Sequence, residues 1–198
     1  MLLHDKLRDY KLILASNSPR RRELMAAAGL PYELAEKFDC DERYPSQLQC
    51  TQVAEYLSEL KSNAYPKPLN PGEILITADT TVVIGEQVLG KPENAEHAKQ
   101  MLAQLSGREH LVITGVTLRS DCRQRRFSAV SRVRFADLSQ EQIDYYVEHF
   151  SPLDKAGAYG IQEWIGYVGI TGIDGSFYNV MGLPVQALCR ELEAFVDL

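Results

Sequence analysis

The chain has 198 residues, 45% of them hydrophobic and 24% charged, a composition that excludes both a disordered chain and a fibrous one. That length buries one substantial core, so a single domain over residues 1–198, in two lobes, is expected. A formal net charge of −6 argues against broad nucleic-acid binding, which needs a basic surface to displace counterions, while local cations still hold a small anionic substrate.

In chain order, Met1 to Arg8 lack the basic head, apolar run and small-residue cleavage site of a secretory signal, so a cytoplasmic location is expected. Lys11 to Ser16 reads as a short buried strand. Ser18 and Pro19 suit the Ncap and N1 positions of a helix that runs to about Ala28 and closes at Gly29. Val53, Leu57, Leu60 and Ala64 recur at near-helical spacing until Pro66, Pro68 and Pro71 stop the helix. Ile74 to Asp79 and Thr80 to Ile84 are strand material. Broken by Asp79 and three threonines, this run falls short of the ~20 residues that span a bilayer, and no membrane span is expected.

Gly85, Glu86 and Gln87 offer a turn before Val88 and Leu89. Ala95, Ala98, Leu102 and Leu105 form another helical stripe, with Gly107 at its C′ position. Leu111 to Arg119 and Phe127 to Phe135 make a hairpin around Ser120, Asp121 and Cys122. Ser139 to Gln142 is a capping box ahead of a helix carrying Ile143, Tyr146, Val147 and Phe150. Lys155 to Gly182, rich in glycine and aromatics, suggests tight turns and short strands, and Pro184 opens a last helix with Leu188, Leu192 and Phe195. The sum is an α/β protein whose hairpins demand a mixed central sheet flanked by helices. Cys40, Cys50, Cys122 and Cys189 form no metal-binding spacing and read as free thiols.

Four places carry chemistry. Ser16, Asn17, Ser18, Pro19, Arg20, Arg21 and Arg22 put three cations at a helix start, where they oppose the dipole unless an anion is bound. Free N–H groups, hydroxyls and guanidinium forks there suit a polyphosphate, although a solvated basic turn has the same composition. Asp79 sits in an apolar run, so its carboxylate needs a metal, a cation or a proton. Lys91, between Gly90 and Pro92, is a lysine beside a turn. Glu42, in the acidic stretch Cys40, Asp41, Glu42, together with Asp79 offers oxygen ligands to Mg²⁺. Arg126, Ser128, Arg132 and Arg134 share one face of a strand opposite Phe127, Val133 and Phe135, as a solvated sheet face does. The histidines fall on polar helix faces or turns and take no role.

Taken together, Leu12 to Arg21, Ala78 to Thr80, Gly90 to Pro92, Leu105 to Gly107, Asp154 to Gln162 and Met181 to Pro184 resemble the Maf family of nucleoside triphosphate pyrophosphatases, of the inosine-triphosphatase-like superfamily. The resemblance spans nearly the whole chain. It implies two lobes with an active-site cleft between them, a homodimer, and a divalent cation (Mg²⁺, Mn²⁺ or Co²⁺). It implies Asp79 as proton acceptor, with Lys91 and Glu42 completing the catalytic set, Glu42 and Asp79 facing the metal, and Ser16, Arg21, Lys61 and Lys91 on the triphosphate. Arg20, Thr80 and Gln162 match the positions that divide the family, and this combination is similar to the subgroup acting on dTTP and UTP. An amide at Gln162 offers a donor and an acceptor to a pyrimidine's imide edge. Cys40 stands where the family commonly has an aliphatic residue. Glu42 rather than Asp41 keeps a constant offset with Lys61 and Asp79. The alternatives are 7-methyl-GTP as substrate, or a nucleotide-binding regulator of septum formation that does not hydrolyse.

Overall fold

Apolar runs bounded by proline, glycine and capping residues become the elements of an α/β fold, seen in a computed structural model that describes residues 2–197. Helices are α1 (Leu3–Lys6), α2 (Pro19–Ala27), α3 (Val53–Ala64), α4 (Ala95–Leu105), α5 (Gln140–Phe150), α6 (Trp164–Gly169), α7 (Phe177–Met181) and α8 (Val185–Val196). Strands are β1 (Lys11–Ala15), β2 (Glu33–Leu34), β3 (Glu73–Ile84), β4 (Gln87–Leu89), β5 (Glu109–Arg119), β6 (Gln124–Phe135) and β7 (Ile170–Asp174). They form one sheet ordered β2-β1-β3-β5-β6-β7, with β4 paired to β3. Pairing is mixed: β1 runs parallel to β2 and β3, while β3–β4 and β6–β7 are antiparallel.

The chain divides into two compact units. The first comprises Met1–Asp79, Thr114–Ala129 and Gly182–Leu198, and the second Thr80–Ile113 and Val130–Met181. In the first unit the buried side chains include Leu12, Leu14, Met25, Leu57, Ile74, Ile76, Leu188, Leu192 and Phe195. A smaller cluster there joins Ile13, Ala15 and Leu75 to Phe38, Tyr65 and Leu69. In the second unit Val82, Leu102, Leu105, Val133, Phe135, Ile143, Tyr146 and Ile165 belong to one core.

Local signals set most boundaries. Ser18 accepts the Arg21 N–H at the start of α2, and Ser139 and Gln142 form the reciprocal capping box of α5. Gly107, with φ 65°, follows α4 in the left-handed conformation that lets the chain turn back.

Three expectations need correction. The buried face of α3 is Val53, Ala54, Leu57, Ser58 and Ser62, while Leu60 and Ala64 are only half-buried. Small residues win that face because the helix lies very close to β5: a Cβ on Gly115 would fall 2.3 Å from the Glu55 backbone. The stretch from Lys155 to Gly182 holds a single strand, β7, with one 3₁₀ turn and the short helices α6 and α7. His110, assigned to a polar position, is buried in β5, 2% exposed.

The basic face of β6 is solvated as expected. Arg132 and Arg134 are exposed and pair with Glu109.

Candidate active site

The turn that leaves β1 is built around hydroxyls. Ser16 Oγ accepts the Ser18 N–H at 3.2 Å and the Arg21 Nη1–H at 3.3 Å. Arg21 also donates from Nε to the Gly182 carbonyl at 2.7 Å and from Nη1 to the Ala78 carbonyl at 2.8 Å. Its fork is therefore locked beside the residue that precedes Asp79. Desolvation pulls the Arg21 guanidinium below its ordinary value, and the carboxylates of Asp79 and Glu42 pull the other way. Arg20 and Arg22 share this first turn of α2, and like charges so near a helix N-terminus favour an anion there.

Asp79 lies in β3, 9% exposed, and its charge is met by Lys61: Nζ stands 2.5 Å from Asp79 Oδ1 and 3.1 Å from Glu42 Oε2. Lys61 reaches it because α3 is fastened to the sheet. The Thr77 hydroxyl donates to the Ser58 carbonyl at 2.7 Å, and Ser58 Oγ meets Thr117 Oγ1 at 2.8 Å. Glu42 is delivered by an irregular loop anchored through Phe38, which packs edge-on against Tyr65 with ring centroids 5.7 Å apart. Within that loop Asp41 is engaged by Arg43 on the exposed side, so Glu42 is the acid that joins Lys61 and Asp79. The Cys40 thiol is pushed up by burial and by Glu42, which keeps it protonated beside these carboxylates.

Among the described residues no group of three or more His, Cys, Asp and Glu gathers as a metal cage. Two carboxylates on one lysine nonetheless fit a hard cation that completes its shell with phosphate oxygens and water. Ser16, Arg21, Glu42, Lys61 and Asp79 thus come together within the first unit.

Thr80, Lys91 and Gln162 belong to the second unit. Lys91 is exposed and makes no ion pair among the described residues, and its loop is held by the Gly157 N–H, which donates to the Gly90 carbonyl at 3.0 Å. Gln162 lines an open groove of about 360 Å³ with Ile161, Tyr167, Ile170, Ile173 and Phe177. Its Oε1 is buried and accepts no hydrogen bond among the described residues.

Two features escaped sequence reasoning. His110 packs edge-on against Phe135 and Tyr159, hydrogen-bonds the Tyr159 hydroxyl at 2.7 Å, and is pushed down to about 4 by burial. Lys155, 7% exposed, contacts Asp154 Oδ1 at 2.7 Å and Glu163 Oε1 at 3.1 Å. Neither pattern leaves a sequence signal, since the first depends on which face of β5 is turned to the core and the second on how the chain folds around the 3₁₀ turns at Lys155.

An arginine-rich helix start beside a lysine-bridged pair of acids has the chemistry of a protein that handles phosphorylated anions. Residues 11–195 match the family described as Maf-like protein, and the chain belongs to that family. It is 53% identical to a dTTP/UTP pyrophosphatase of Bacteroides thetaiotaomicron, over 93% of this chain and 95% of that one. It is 51% identical to the dTTP/UTP pyrophosphatase of Phocaeicola vulgatus, over 96% and 98%, and 44% identical to that of Flavobacterium johnsoniae, over 98% and 100%. Among solved structures, a HAM1 protein from Coxiella burnetii aligns with 93% of this chain and 99% of its own, at 13% identity and a TM-score of 0.48.

Proposed function

We propose that this protein hydrolyses dTTP and UTP between the α- and β-phosphates, releasing the monophosphate and pyrophosphate. The observation that carries the reading is Lys61 held between Asp79 and Glu42, beside an arginine locked to the same strand. Near-50% identity to relatives named for this activity supports it.

Asp79 accepts a proton from the water whose oxygen bonds to the α-phosphorus, while the bond from that phosphorus to the bridging oxygen breaks and pyrophosphate leaves with the electron pair. Ser16, Arg20, Arg21, Lys61 and Lys91 hold the triphosphate and offset the negative charge that builds on the departing group. Glu42 and Asp79 would hold a divalent cation, Mg²⁺, Mn²⁺ or Co²⁺, which when bound would neutralise charge on the phosphate oxygens. Arg20, Thr80 and Gln162 select the base, Gln162 by pairing its amide with the imide edge of uracil or thymine.

A metal-dependent assay on dTTP, UTP and 7-methyl-GTP with product identification tests this, pyrophosphate being the expected first product. No turnover of dTTP and UTP, or release of a diphosphate, would falsify it. Asp79→Asn is expected to lower kcat at least a hundredfold with triphosphate binding retained, because the amide keeps the shape and cannot take the proton. A chain working in the cytoplasmic nucleotide pool as a homodimer completes the reading, and sedimentation velocity on the purified protein measures the assembly. No helix among the described residues is long and apolar enough to cross a membrane.

A further inference from the structure

Gln162 projects from a tight turn closed by the Glu163 N–H donating to the Gly160 carbonyl at 3.0 Å. A buried polar clamp grips both ends of that turn. The Tyr146 hydroxyl, on α5, accepts the Gly160 N–H at 2.9 Å and donates to Glu163 Oε2. The other carboxylate oxygen of Glu163 receives Lys155 Nζ at 3.1 Å. Glu163 and Lys155 close over the Gly160 Cα so tightly that a Cβ there would stand 2.9 Å from Glu163 Cδ and 3.0 Å from Lys155 Cε.

Partly buried ion pairs and hydroxyls are costly to assemble and gain little stability over apolar packing, so their use is in fixing geometry. What they fix is the residue between Gly160 and Glu163 that faces the groove. Gln162 Oε1 is withdrawn from solvent and accepts no hydrogen bond among the described residues, while the rest of the lining is mainly apolar and aromatic. An orphaned amide oxygen beside an open groove is matched by a ligand N–H, and the imide of uracil or thymine supplies one at the ring position where cytosine has a bare nitrogen, cytosine's own donors lying one position away on its exocyclic amine.

We propose that Glu163, braced by Tyr146 and Lys155, is a positioning residue that holds Gln162 at the groove and thereby sets the choice of uracil and thymine over cytosine. This rests on Gln162 reading the base, as in the function proposed above. Neither Glu163 nor Tyr146 touches the substrate. Their effect passes through the turn.

The experiment compares kcat/KM for UTP and CTP in the full-length protein, Tyr146→Phe, Glu163→Gln and Gln162→Ala. A general loss of folded protein scales both rates alike and leaves their ratio unchanged, so the ratio isolates positioning. The UTP preference is expected to fall about tenfold in Tyr146→Phe and Glu163→Gln and to vanish in Gln162→Ala. Acrylamide quenching of Trp164, the sole tryptophan and the residue after Glu163, gives a second readout and is expected to rise in both clamp variants. A UTP preference retained in both, with quenching unchanged, overturns the clamp and leaves the reading of Gln162 standing. Loss of preference in Gln162→Ala alone has the same meaning. A parent protein that turns over UTP and CTP equally, or neither, overturns the reading of Gln162 and the clamp with it.

Discussion

Single residues decide the electrostatics of this protein. Asp79 announced itself in sequence as one carboxylate inside an apolar run, and burial of such a group demands a partner. Which partner was not legible, because Lys61 lies in a different helix and Glu42 in an irregular loop. Only folding brings their three charged atoms to one place. His110 gives the opposite lesson, a residue without apparent role that turns out to titrate in the core. Its pKa is pushed from 6.5 to about 4 by burial. Above pH 6.5 neither folded nor unfolded chain binds this proton. Between 6.5 and 4 the unfolded chain takes up a proton that the folded chain refuses, so stability falls as pH falls, by on the order of 3 kcal/mol at completion. The melting temperature of His110→Phe is therefore expected to drop less than that of the parent protein between pH 6.5 and 4. At neutral pH the variant loses about 1 kcal/mol, since the Tyr159 hydroxyl is left without its partner. Parallel melting curves that superimpose across the acid range would contradict the assignment.

At the scale of elements, capping and turn chemistry were readable where they are local. Ser18 with Pro19, the Ser139 box and Gly107 all act within a few residues of themselves, and each ends up in the predicted role. The orientation of α3 was not readable. Its periodicity favoured Leu60 and Ala64 as inward residues, yet the helix turns Ser58 and Ser62 inward instead. A neighbour on a remote strand makes that choice, since Gly115 lets the helix backbone approach β5 and only small side chains fit the gap. Gly115→Ala is expected to destabilise by about 3 kcal/mol, because the added methyl meets backbone, which cannot swing aside. It also displaces the helix that carries Lys61, so activity falls with stability. Gly90→Ala, where a Cβ meets nothing within 4 Å, is the neutral control. A urea midpoint for Gly115→Ala equal to that of Gly90→Ala would refute this account of the packing.

Across the whole molecule, each unit is assembled from separated segments, with the chain leaving one and entering the other at residues 79/80, 113/114, 129/130 and 181/182. The first unit depends on the last helix. α8 contributes Leu188, Leu192 and Phe195 to its buried side chains, Gly182 supplies the carbonyl that holds Arg21, and Lys6 pairs with Glu193 and Asp197 near the chain's two ends. Truncation after Met181 is expected to abolish cooperative unfolding as read by circular dichroism, because three large apolar side chains leave the core, each worth about 1.5–3 kcal/mol of burial. The amino-acid order alone determined most of the element types, the mixed sheet, the cationic, hydroxyl-rich character of the turn after β1 and the family, for these are written in short-range spacing and contiguous motifs. Tertiary structure alone decided that Glu42 and not Asp41 meets Lys61, that α3 buries serines, and that Lys155, Glu163 and Tyr146 brace the turn of Gln162. Those outcomes depend on close approach between segments far apart in sequence, and no local propensity encodes such distances.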